Sequence, residues 1–70
     1  MKNLQKLLEL AYHYEINLQI DWFWDGCVDM KIGDEYNGYK AQATVDVKYI
    51  TEWLYQNLKQ IYPTLNWDCD

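Results

Sequence analysis

Apolar and polar residues alternate along residues 16–24, the segment around which the rest of the chain is arranged. It reads Ile-Asn-Leu-Gln-Ile-Asp-Trp-Phe-Trp, with an apolar side chain at every even position. A period of two is typical of a β-strand that buries one face and exposes the other. The pattern predicts a first strand over residues 16–23, with Trp24 at the start of the following turn.

Helical periodicity flanks this strand on both sides. Apolar residues recur at spacings of three and four in residues 2–14 and again in residues 46–62, which predicts one amphipathic helix in each segment. Pro63 ends the second helix. Residues 63–70 show no periodicity, and we expect an irregular tail. The apolar stripes are formed by Leu4, Leu7, Leu8 and Ala11, and by Val47, Ile50, Leu54, Leu58 and Ile61.

The parity of the apolar positions determines how the first two strands pair. A three-residue loop over residues 24–26 pairs Phe23 with Cys27 and brings Trp22 opposite Val28, so that apolar side chains share one face. A two-residue turn would mix the faces, since a slip of one residue inverts a whole strand. We therefore expect a type I turn whose glycine is left-handed and forms a bulge.

The dipeptide Asn37-Gly38 predicts the second hairpin, because this pair favours a type I′ turn. Such a turn pairs Tyr36 with Tyr39. The cross-strand pairs that follow are Glu35–Lys40, Ile32–Ala43 and Met30–Val45.

These elements predict a single α+β domain over residues 1–70, in the order α-β-β-β-α. The strands form a three-stranded antiparallel meander over residues 16–23, 27–36 and 39–45. Both helices are expected to pack on the one apolar face of this sheet.

The opposite, open face of the sheet concentrates carboxylates. The two registers align Asp21, Asp29 and Asp46 in one row, with Phe23 beyond it. Opposed like charges destabilise a sheet, so the row suggests a compensating basic protein partner, or a hard cation such as Mg²⁺ or Ca²⁺. Alternatively, the face is only solvated, with lysines leaning across it and with Asp46, or else Thr44, capping the second helix. No spacing matches a known calcium-binding loop, and we expect neither a metal nor another cofactor.

The hairpin loops add aromatic and acidic residues to this surface. Tyrosine and tryptophan are favoured at binding hot spots. Alternatively, Trp24 closes over its loop, and Tyr36 and Tyr39 stack on one another as a cross-strand pair. The additional candidate partner-binding residues are Phe23, Trp24, Asp25, Asp34, Glu35, Tyr36 and Tyr39.

Composition narrows the classes of function. Eleven acidic residues against six lysines, with no arginine, give a net charge of −5. Such a charge argues against direct binding to nucleic acid and favours a partner protein with a basic surface. No apolar run is long enough to enter a membrane.

Nothing in the sequence supports catalysis. His13 is the single histidine and has no nucleophile in a recognisable spacing. Cys27 and Cys69 lack a Cys-x-x-Cys spacing, and no signal peptide precedes them, so we expect reduced thiols in a cytoplasm. The sequence therefore predicts a non-enzymatic protein.

The order of elements resembles the double-stranded-RNA-binding domain. That family binds RNA through a lysine cluster at the start of its second helix. Here residues 46–51, Asp-Val-Lys-Tyr-Ile-Thr, contain a single lysine and begin with an aspartate. The resemblance in topology therefore does not extend to the function.

In size, charge and layout, most of the chain resembles the small acidic proteins of phages and mobile elements, of which anti-CRISPR proteins are examples. Some Cas9 inhibitors share the helix, three-stranded meander and helix. The resemblance implies an inhibitor that binds a basic nucleic-acid-binding surface and competes with DNA, in the host cytoplasm if the protein is phage-encoded. The alternative is a structural or assembly module that forms a homodimer through the edge of the third strand or through exposed aromatic residues; the sequence is compatible with a monomer or a homodimer.

Overall fold

The sequence folds into an α-β-β-β-α arrangement, which confirms the predicted order and the α+β class. A computed structural model describes residues 3–68. Its elements are α1 (Leu4–His13), β1 (Leu18–Trp22), β2 (Cys27–Asp34), β3 (Gly38–Asp46), a 3₁₀ turn (Val47–Tyr49) and α2 (Ile50–Ile61). The predicted helix start at residue 2, Cys69 and the last residue of the tail lie outside the described residues.

Local hydrogen bonds explain where each helix begins. Asn3 caps α1, because its side-chain oxygen accepts a hydrogen bond from the Lys6 backbone N–H at 2.8 Å. Asp46, one of the two expected caps, accepts from the Lys48 N–H at 2.9 Å. This cap opens the 3₁₀ turn, so the regular part of the second helix starts at Ile50 rather than at residue 46.

A left-handed residue separates α1 from the sheet. Glu15 has φ 58°, a conformation that non-glycine residues adopt at an energetic cost and that ends a helix. The Ile16 N–H donates to the Ala11 carbonyl at 2.8 Å, which keeps Ile16 in the connection. As a result, β1 starts two residues later than the alternating pattern does.

The register of the first hairpin agrees with the parity argument. β1 and β2 are antiparallel, with Trp22 opposite Val28. The Phe23 N–H donates to the Cys27 carbonyl at 3.0 Å, and the Gly26 N–H donates to the Phe23 carbonyl at 3.1 Å. Gly26 has φ +90°, in the left-handed region expected for the glycine of this loop.

The predicted register of the second hairpin is wrong by two residues. The observed pairs are Val28–Val45, Met30–Ala43, Ile32–Ala41, Gly33–Tyr39 and Asp34–Gly38. A bulge between Ile32 and Gly33 shifts the register, and Gly33 has φ +115°. The loop therefore spans residues 35–37, and Tyr36 and Tyr39 are not cross-strand neighbours. Tyr36 is 90% exposed, so the alternative in which these two tyrosines stack on one another is wrong.

The core lies between the sheet and the two helices. For Trp67 in the irregular tail the sequence leaves two alternatives, folded back on the core or exposed; the side chain is 1% exposed and lies in this core. Its indole N–H donates to the Tyr62 carbonyl at 3.1 Å, and its ring lies edge-on to Tyr14, with centroids 5.3 Å apart. The buried cluster comprises Leu7, Val28, Met30, Ile32, Leu54, Leu58 and Trp67.

One part of the apolar sheet face is left uncovered. The strand order is β1-β2-β3, and α2 packs on β2 and β3. Ile20 and Trp22 on the edge strand β1 are 38% and 61% exposed. The expectation that the helices cover the whole face is therefore wrong at this end of β1.

Candidate functional site

Two aspartates face each other on the open side of the sheet. Asp21 of β1 lies directly opposite Asp29 of β2, as the first register predicts. In such a pair the Cβ atoms are about 5 Å apart, close enough for like charges to destabilise the sheet. The third member of the row is Thr44 and not Asp46, because the second register is shifted by two residues.

Neutral donors contact this pair without cancelling its charge. The Thr44 hydroxyl donates to Asp29 at 2.7 Å, and the Gln19 side-chain amide donates to Asp21 at 3.3 Å. These bonds orient the carboxylates and satisfy one oxygen of each. The negative charge of both groups remains at the surface.

The nearby lysine turns away from the aspartates. Lys31 extends over the ring of Tyr39, with its Nζ atom 5.2 Å from the ring centroid. Within residues 3–68 the ion pairs are Lys6–Glu9 and Lys59–Asp68. The alternative in which lysines lean across and neutralise the acidic face is therefore not what the structure shows.

Asp46 and Asp25 extend the negative charge around Cys27. Asp46 lies directly opposite Cys27 on the neighbouring strand. Asp25 accepts a hydrogen bond from the Cys27 backbone N–H at 3.1 Å. We call the group formed by Asp21, Asp25, Asp29 and Asp46 the acidic sheet end.

Carboxylates of the acidic sheet end raise the pKa of the Cys27 thiol. The carboxylate of Asp25 is the largest cause of a raised pKa at Cys27, followed by partial desolvation and then by the charges of Asp46 and Asp29. A negative environment disfavours the thiolate, and Cys27 is therefore a poor nucleophile although its side chain is exposed.

Asp25→Asn is expected to speed the alkylation of Cys27, because removal of the nearest charge lowers the thiol pKa and raises the thiolate fraction. The measurement is the iodoacetamide rate at pH 7.5, in a Cys69→Ser background that leaves a single thiol. Glu15→Gln, which removes one exposed charge elsewhere, is the control. Equal rates in the two variants would show that Asp25 does not control this thiol.

Exposed aromatic side chains border the acidic sheet end. Trp24 is 94% exposed, so the alternative in which it closes over its loop is wrong. Phe23 is 48% exposed and shares the sheet face of Asp21. The alternating pattern places Trp22 in the core, but the side chain is 61% exposed because it lies near the end of an edge strand.

The remaining candidates lie at the other end of the strands, where Asp34 has a structural role. Its carboxylate accepts backbone N–H bonds from Tyr36 at 2.8 Å and Asn37 at 2.7 Å, and a side-chain bond from Asn17 at 2.7 Å. The bonds from Asn37 and Asn17 are the main causes of the lowered pKa of Asp34. Its contribution to stability is present above the unfolded-state pKa and is lost as the pH falls through the folded-state pKa.

Three candidate residues near Asp34 do not join the acidic sheet end. Glu35 and Tyr36 are exposed in the loop. The Tyr39 hydroxyl donates to the side-chain oxygen of Gln19 at 3.2 Å, so its ring lies on the open sheet face. The structure thus divides the predicted binding residues between two ends of the sheet.

Comparison with protein-family models, with curated proteins and with solved structures finds no match to this chain. In the described part of the chain, no three histidine, cysteine, aspartate or glutamate residues are arranged to hold a metal ion. No helix among residues 3–68 has the length and apolar character needed to cross a membrane. The geometry of the open sheet face is therefore the basis for a functional proposal.

Proposed function

We propose that the protein is a non-enzymatic inhibitor that binds the basic nucleic-acid-binding surface of a host defence or nucleic-acid enzyme. The observation that carries the proposal is the Asp21–Asp29 pair. These like charges lie side by side, and no lysine in residues 3–68 forms an ion pair with either of them. A cationic partner would relieve their mutual repulsion on binding.

The surroundings of the pair suit a protein partner. Asp25 and Asp46 extend the negative field, while Phe23 and Trp24 supply exposed aromatic area beside it. Aromatic anchors next to charged groups are typical of energetically important positions in interfaces. Carboxylates on a sheet surface would occupy the positions at which an enzyme's lysines and arginines otherwise bind phosphates.

The charge of the chain indicates how such an inhibitor acts. A net charge of −5 disfavours contact with nucleic acid itself, so inhibition proceeds by occupying the enzyme. Electrostatic complementarity accelerates association, and this contribution weakens as salt screens the charges. Anti-CRISPR proteins are the group that the chain resembles in size and layout, and a guide-loaded Cas9-type nuclease is therefore a target to include.

The test is a competition experiment with purified enzymes. A fluorescently labelled DNA is bound to a guide-loaded Cas9-type nuclease, or to other basic nucleic-acid enzymes of the host, and its anisotropy is followed as the protein is added. We expect release of the DNA from one of these enzymes, with potency falling between 50 mM and 300 mM salt. Retention of DNA by every enzyme at a hundredfold molar excess of the protein would contradict the proposal. The labelled DNA without enzyme is the control, and its anisotropy should not change.

A further inference from the structure

The edge strand β1 offers both an unpaired backbone and an uncovered apolar face. In the β1–β2 ladder, the Phe23 N–H donates to the Cys27 carbonyl at 3.0 Å, and the Asn17 carbonyl accepts from the Gly33 N–H at 2.7 Å. Residues of an antiparallel strand alternate in the side to which they direct their backbone groups. Leu18, Ile20 and Trp22 therefore direct their N–H and C=O groups away from β2, toward the open edge.

We propose that this edge binds a second copy of the same chain, so that two β1 strands pair antiparallel about a twofold axis at Ile20. In this register Ile20 lies opposite the partner's Ile20, and Leu18 lies opposite the partner's Trp22. The outward backbone groups of all three residues then meet matching groups. The two sheets become one six-stranded sheet in the order β3-β2-β1-β1-β2-β3.

Side chains on both faces agree with this register. On the helix side, the exposed surfaces of Ile20 and Trp22 become covered by apolar residues of the second copy, which accounts for the uncovered end of β1. On the open side, Gln19 lies opposite the partner's Asp21. The side-chain amide of Gln19 already donates to Asp21 within one chain, and it has a second N–H to offer. The register thus avoids placing the two copies of Asp21 directly opposite each other.

The other edge of the sheet fits a second copy less well. β3 carries the register shift opposite Ile32 and Gly33, and a bulge interrupts the regular pairing that a neighbouring strand requires. Its apolar face is already covered by α2. We therefore place the dimer contact at β1 and not at the edge of β3. This inference does not depend on the proposed inhibitory function.

Each copy contributes one five-residue strand to the contact. The interface is therefore at the small end of the range for protein dimers. We expect a dissociation constant on the order of 100 μM. Sedimentation equilibrium of the full chain from about 10 μM to 1 mM should show a reversible monomer–dimer transition. A monomer throughout this range would overturn the proposal.

Matched charge variants on the two edges identify the interface. Gln19 and Gln42 are both exposed and lie on either side of Lys31 in the same row of the sheet. In Gln19→Glu, the new glutamate of each copy lies opposite Asp21 of the other copy. These two pairs of like charges should weaken the dimer about five- to tenfold. Gln19→Lys should strengthen it by a similar factor, because each new lysine faces the partner's Asp21.

The corresponding variants Gln42→Glu and Gln42→Lys change the net charge equally and should leave the dissociation constant within about twofold of the wild-type value. Equal weakening by both glutamate variants would indicate general charge repulsion and would overturn the proposed register. Sensitivity confined to Gln42 would place the contact at β3 and overturn it as well.

Discussion

Trp67→Ala is expected to lower the free energy of unfolding by about 3–5 kcal/mol. Trp67 is almost fully buried, donates its indole N–H to the Tyr62 carbonyl and packs against the ring of Tyr14. Its removal leaves a large cavity in the core and takes away one of the two hydrogen bonds that the Tyr62 carbonyl accepts, the other coming from the Leu65 N–H at 3.2 Å. A domain of 70 residues has a stability of about 4–10 kcal/mol, so the variant loses a large share of it and should unfold at a clearly lower urea concentration than the wild type.

The matched control for this variant is Trp24→Ala. Trp24 is 94% exposed, and removal of an exposed side chain typically changes stability by less than about 0.5 kcal/mol. Urea unfolding followed by far-UV circular dichroism compares the two without relying on tryptophan fluorescence. Similar unfolding midpoints for the two variants would mean that the tail does not pack into the core.

Gly33→Ala is expected to be the second most damaging of these substitutions, at about 2–4 kcal/mol. Gly33 has φ +115°, and a Cβ atom there would lie 2.5 Å from the Gly38 carbonyl oxygen and 3.1 Å from the Tyr39 Cα. Both neighbours are backbone atoms of the paired strand and cannot rotate away. The bulge would have to rearrange, and with it the register of the second hairpin.

Gly38→Ala separates strain from steric overlap. Gly38 also has a positive φ, +88°, but a Cβ atom would meet nothing within 4 Å. Alanine at this positive φ strains the backbone without any steric overlap, so the free energy of unfolding should fall by only about 1–2 kcal/mol. Thermal unfolding of both variants gives the difference, and a Gly33→Ala variant as stable as Gly38→Ala would contradict the close approach at the bulge.

The two hairpins show what hydrophobic patterning can and cannot determine. In the first hairpin, a slip of one residue would have moved Trp22 and its neighbours to the wrong face, so parity selected the observed register. In the second hairpin the error is two residues. A shift of two keeps every apolar side chain on its own face, and the pattern cannot distinguish the alternatives.

The correct second register depends on features that carry no periodic signal. Gly33 adopts a positive φ at the bulge, and the Asp34 carboxylate holds the loop by accepting the N–H groups of Tyr36 and Asn37. The Asn37-Gly38 dipeptide favours a type I′ turn. The Asp34 carboxylate, three residues before Asn37, stabilises a different loop through these hydrogen bonds. This shift moved Asp46 out of the predicted row and put Thr44 in its place.

The candidate site was predictable to the extent that it depends on the first hairpin. The Asp21–Asp29 pair followed directly from parity. The exposure of Trp22 and the position of Trp67 did not, because both depend on where the helices and the tail lie over the sheet. Those positions are set by tertiary packing rather than by any local pattern in the chain.

The most direct test of the proposed function is the affinity of Asp21→Asn/Asp29→Asn for the enzyme from which the wild-type protein displaces DNA. Neutral amides keep the size of the side chains and relieve the repulsion, so the variant should fold at least as well as the wild type while losing the cation-binding charge. The control, Glu15→Gln/Glu52→Gln, removes two exposed charges elsewhere and reduces the net charge equally. We predict that the aspartate variant binds at least about tenfold more weakly than this control. Equal affinities for the two variants would show that the Asp21–Asp29 pair is not part of the binding surface.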